Sequence, residues 1–103
     1  MKIKDLLIDE TKWTQNAYAR DAYGKSLIES DLHAVSWCLS GALFVCYPHC
    51  GLDRSIIWYR ITSKLSTLAG ETSITAWNDA PERTFAEIRK FVLSLDEDHL
   101  NSY

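Results

Sequence analysis

The chain has 103 residues, 47% of them hydrophobic and 24% charged, with a net charge of −3. That profile excludes a disordered chain, a fibrous repeat and a second domain, and the scattered Arg and Lys residues lack the basic patch of a duplex-binding protein. The longest apolar run, Ala42 to Tyr47, is too short to cross a bilayer, no signal-peptide pattern opens the chain, and three cysteines cannot all pair, so the expectation is a cytoplasmic protein with free thiols.

In chain order, Ile3, Leu6, Leu7 and Trp13 give a stripe that predicts a first helix over Ile3 to Lys12. Ala17 to Arg20, the turn Asp21-Ala22-Tyr23-Gly24 and Lys25 to Leu27 read as a hairpin, with Gly24 available for positive φ. A cap at Ser30-Asp31 opens a second helix that runs to Cys46, and Pro48 ends it. This segment is apolar around nearly its whole circumference, which predicts a buried central helix. Ser36, Ser40 and Gly41 form a small-residue strip on it, suited to a close helix crossing. Ile57, Ile61, Leu65 and Leu68 mark a third helix over Asp53 to Ala69, closed by Gly70. Thr72, Ile74 and Ala76 alternate, predicting a short strand over Glu71 to Trp77. Asp79 then caps a fourth helix with Pro81 in its first turn, Glu82 in a capping box and Phe85, Ile88, Val92 and Leu95 as its buried stripe. Residues from about 97 to 103 are expected to form a flexible tail. The fold class is therefore α+β and mainly helical, with about four helices around a buried central helix and a small two- or three-stranded antiparallel sheet, all in one domain over 1–103.

Candidate sites fall into three groups. Trp77, Asn78, Asp79, Arg83 and Thr84 either cap and cover a helix start or surround a small polar ligand, with Trp77 as a wall. Tyr18, Arg20, Tyr23 and Lys25 on the hairpin, with Trp13 just before it, are of the types that dominate protein interfaces and give the partner-binding candidate. Arg54, Trp58 and Arg60 form a second patch of this kind. His33, Cys38, Cys46, His49 and Cys50 contain enough soft ligands for one zinc ion, but the C-x-x-H-C cluster lacks a second knuckle, so no metal is assigned. Cys38 has a glycine close behind it, as several cysteine hydrolases do, yet it lies two turns into the predicted helix, where nothing lowers its pKa. No catalytic residue and no cofactor is assigned.

Trp13, the turn from Ala19-Arg20-Asp21 to Gly24, Trp37-Cys38-Leu39-Ser40-Gly41-Ala42-Leu43 and Trp77-Asn78-Asp79 with Arg83-Thr84 together resemble a family of small bacterial and phage proteins known as a domain of unknown function. The resemblance covers most of the chain and implies one complete domain, with no reaction, substrate or cofactor attached. The expected function is a small protein-binding or regulatory protein whose partner is another protein, with self-association left open. The phage company of the family makes an inhibitor of a bacterial defence system, such as an anti-CRISPR, one concrete form of it. The alternatives are an enzyme or small-ligand binder centred on Trp77 to Thr84, and a structural zinc protein.

Overall fold

The computed structural model describes residues 1–49 and 51–97. Among them are α1 (Ile3–Leu6), a 3-10 turn (Glu10–Lys12), β1 (Ala19–Arg20), β2 (Ser26–Leu27), β3 (Ser36–Trp37), α2 (Leu39–Cys46), α3 (Leu52–Ala69), α4 (Ile74–Asp79) and α5 (Phe85–Ser94). The class is α+β, as the sequence indicates. The strands form one antiparallel sheet in the order β2-β1-β3, with Ala19 opposite both Leu27 and Trp37. The hairpin turn is held by the Asp21 carboxylate, which accepts from the Tyr23 and Lys25 backbone N–H groups, and Gly24 takes the expected positive φ of 82°.

The core collects fully buried side chains from four helices: Ile3 and Leu7, Leu39 and Leu43, Ile57, Ile61 and Leu65, and Ile88 and Val92. α2 lies at its centre and touches α1, α3, α4 and the sheet. The third-helix expectation holds almost to the residue, because α3 has an amphipathic period and Gly70 ends it in the left-handed conformation at φ 64°.

Four expectations are corrected. The first helix stops at Leu6, where Arg89 reaches across to the Leu7 carbonyl at 3.2 Å, and the segment restarts as a 3-10 turn capped by Asp9. The central helix begins at Leu39 rather than Leu32. Residues 31–35 are turns that leave Leu32 98% exposed, and Ser36-Trp37 supplies the third strand. The stretch from Glu71 to Trp77 is no strand, since Ser73 accepts from the Ala76 N–H and starts α4. The last helix is capped by Thr84, not Asp79, in a reciprocal box with Glu87, while Asp79 closes α4.

Gly41 does mark a close approach, but to the hairpin rather than to a helix: a Cβ there would overlap the Tyr18 carbonyl oxygen. The tail expectation lies outside the described residues except at Glu97. That carboxylate is buried, and its Oε1 accepts from the Ile3 N–H at 2.9 Å and the Tyr47 hydroxyl at 2.7 Å. No helix among the described residues is long and apolar enough to cross a membrane.

Candidate functional site

The segment Trp77 to Thr84 begins at a helix end, and most of its side chains are consumed in holding the fold. Asn78 is 0% exposed and fully satisfied. Its Oδ1 accepts from Trp13 Nε1 at 2.8 Å and from the Leu39 N–H at 3.0 Å. Its Nδ2 donates to the Thr14 carbonyl at 3.1 Å and to Asp79 Oδ1 at 2.8 Å. One side chain thus ties the loop after the 3-10 turn and the start of α2 to the end of α4. Gln15 completes the knot by donating to the Asn78 and Ala80 carbonyls, both at 2.9 Å. Those carbonyls are among the acceptors that a helix C-terminus leaves without partners.

Trp77 is buried against Phe91, with ring centroids 5.0 Å apart. The Arg83 guanidinium lies 4.3 Å over the Trp77 ring, donates to the Trp77 carbonyl and pairs with Glu87 at 2.6 Å. Thr84 serves as the α5 cap. The structure therefore does not gather the five residues around one polar site. Thr84 borders a separate hollow with Phe85 and Arg89, and Asp79 reaches a cavity beside the hairpin, where its Oδ1 accepts from the Asn16 N–H at 2.9 Å.

That cavity, about 690 Å³, lies between the hairpin and the ends of α2 and α4. Tyr18, Leu27 and Ile28 give it apolar walls, and Asp79, Thr75 and Cys38 supply polar atoms. A smaller hollow of about 290 Å³ adjoins it, sharing Tyr18 and Thr75 and adding Phe44 and Trp58. Between the two, Ser40 Oγ and Thr75 Oγ1 stand 3.4 Å apart.

Cys38 is the N-cap of α2, with Sγ accepting from the Gly41 N–H at 3.3 Å, so its placement two turns inside a helix is corrected. The thiol is still not activated. It is 3% exposed, and burial pushes its pKa up. Cys46, at the far end of the same helix, is likewise pushed up to about 12, first by burial and then by the charge of Glu97. Eight residues of helix separate the two sulfurs by about 12 Å, too far to share one zinc ion. No group of three or more metal-ligating side chains occurs among the described residues, which do not include Cys50. His33 is paired with Asp31 at 3.1 Å, and His49 lies in the exposed turn before α3.

The hairpin group divides in two. Arg20 turns inward, with Nε on Thr14 Oγ1, one terminal nitrogen on the Gly24 carbonyl and the other on the Gln15 carbonyl, at 2.9, 2.9 and 3.1 Å. Trp13 is half-buried beside Phe85 and bonded to Asn78. Tyr18, Tyr23 and Lys25 remain at the surface, Tyr23 at 95% exposure. In the second patch, Arg54 lies 4.9 Å over the Phe44 ring, Arg60 donates to the Asp96 carbonyl, and Trp58 is half-exposed. Ile28 is a lining residue that the sequence reading missed, since nothing in Leu27-Ile28 distinguishes an exposed strand end from a core run.

No curated protein and no solved structure matches the chain. Trp13, the Cys38 to Gly41 helix start and the Trp77 to Arg83 segment all fall within residues 2–94, the stretch matched by the model of the family of unknown function DUF6197, and the chain belongs to that family.

Proposed function

We propose that this is a small binding protein that regulates another protein by docking it on the face around Tyr18. The observation that carries this reading is the continuity of the two hollows through Tyr18, with exposed Ile28 at one end and half-exposed Trp58 at the other. Aromatic side chains that are half in contact and half in water are the usual anchors of protein interfaces. Tyr18 meets that description, with its ring 6.2 Å from Phe44 and about half its surface in solvent. Tyr23 and Lys25 extend the same hairpin toward solvent. The resemblance to bacterial and phage proteins makes an inhibitor of a bacterial defence system, such as an anti-CRISPR, one concrete form of the role.

The cavity volume also supports a second reading, a small ligand held beside Asp79 and Thr75, since about 300–1,000 Å³ is the usual size of such sites. Nucleophilic catalysis is less well supported, because burial keeps the one thiol in the cavity protonated. The test is capture of partners from a bacterial lysate by the tagged protein and by folded Tyr18→Ala/Ile28→Ser and Leu93→Ala variants. Leu93 is exposed on α5, away from both hollows. A stoichiometric partner lost only in the first variant is the expected outcome. A partner that survives it, or no partner at all, overturns the docking face. A rise in the melting temperature of the purified protein with the small-molecule fraction of the lysate, lost in Asp79→Asn, would then favour the ligand reading.

A further inference from the structure

α3 is the longest element, and its outward side is unlike that of an ordinary surface helix. Successive residues turn by about 100° around the axis, and the buried Ile57, Ile61 and Leu65 mark the side that faces the core. On that wheel an arc of about 180°, from Trp58 round to Thr67, contains no charged residue. A helix that faces only water ordinarily carries its charges there. Along the middle of the bare arc run Leu52, Ile56, Tyr59, Ser63 and Ser66, at alternating spacings of four and three. That is the spacing of a helix–helix seam. Leu52 and Tyr59 are 60% and 67% exposed and Ser66 is exposed, while Ile56 and Ser63 between them are partly buried.

We infer that this face is the contact of an antiparallel, two-fold dimer of the chain. The choice of a second copy as occupant rests on the charges at one edge of the seam. Asp53 and Arg60 follow Leu52 and Tyr59 directly, seven residues apart, in the flanking position that governs partner choice in paired helices. A two-fold axis across an antiparallel pair sets that edge against itself in reverse. Asp53 of each copy then lies beside Arg60 of the other, whose guanidinium keeps further donors beyond the one given to its own Asp96 carbonyl, and the two opposite charges meet twice. In a parallel pair that edge would face the other edge of the partner helix, Ser55 and Thr62, and the charges would find no opposite charge across the seam. Ser63 and Ser66 are small enough to let the two backbones approach closely.

α3 is about 27 Å long and about 10 Å across, so half its circumference offers about 400 Å² per copy. That is below the usual size of a permanent interface, and the dimer is weak and reversible. It forms at micromolar concentrations rather than nanomolar ones.

Sedimentation from about 5 to 500 µM at low salt tests this, with far-ultraviolet dichroism confirming that each variant is folded. The wild type should pass reversibly from monomer to dimer. Asp53→Arg and Arg60→Asp should each weaken the dimer about tenfold, because each change turns two attractions into two repulsions. Combining them should restore the wild-type constant to within a few fold, and Tyr59→Glu should abolish association. A wild type that stays monomeric throughout overturns the proposal. So does a double variant as weak as the single ones, or a Tyr59→Glu variant that still dimerises.

Discussion

Asn78 shows how far a single amide can determine a fold of this size. Its four hydrogen bonds satisfy two donors and one backbone acceptor on other segments, and none of them faces water freely. Asn78→Ala leaves those groups without partners at about 1–3 kcal/mol each, so the expected loss is about 3–5 kcal/mol in chemical denaturation. That is a large fraction of the stability of any domain this size. A pH effect belongs to Cys46. Its thiol keeps its proton in the fold up to about 12, whereas the unfolded chain releases it near the ordinary value of 9.0. Above that lower value the folded state binds more protons than the unfolded one, so stability falls as pH rises. The contribution is fully present below pH 9 and lost progressively between pH 9 and about 12. Thermal melts across that window should fall less steeply for Cys46→Ala than for the wild type, with half-buried Tyr47, also shifted upward, supplying the remaining slope. At this scale the sequence shows that Asn78 and Asp79 are special and misleads about why. Asn and Asp before a proline are chemically apt for capping, and their use as long-range ties depends on Trp13 and Leu39, which lie 65 and 39 residues away.

Among the elements, those whose stability is local were legible and those defined by neighbours were not. α3 carries its own period and its own glycine stop, and the hairpin carries its own turn. β3 and α2 instead abut with only Cys38 between them, and the stretch from Ser36 to Leu43 is buried except at half-buried Trp37. The run therefore has no charged residue or proline to break it, and cysteine does not announce a cap as serine or threonine does. The true start of α5 was concealed in the same way, because Asp79-Ala80-Pro81-Glu82 mimics a start five residues early. Thr84→Ala should cost about 1 kcal/mol and speed amide exchange at Glu87, whose N–H its side chain accepts. Gly41→Ala sets two effects against each other. Alanine gains about 1 kcal/mol of helix propensity, while overlap with the Tyr18 carbonyl costs about 3 kcal/mol, so a lower melting temperature is expected.

Across the whole molecule, the two surfaces proposed for contact adjoin at Trp58 but are centred on different elements, the hairpin for one and the outside of α3 for the other. Tyr18→Ala should accordingly leave sedimentation behaviour unchanged, and Tyr59→Glu should leave partner capture unchanged; a loss of both in either variant would mean that they are one surface. Tyr18 itself occupies an unusual place in this plan. Its carbonyl accepts from the Cys38 N–H at 3.1 Å and presses against Gly41, so its backbone is clamped onto the first turn of the central helix while its ring emerges into water. The residue offered to a visitor is thus rooted in the buried start of the central helix. Most of the conformational entropy that a flexible loop would surrender on docking has already been given up when the chain folds, which favours slow dissociation without any additional contact area.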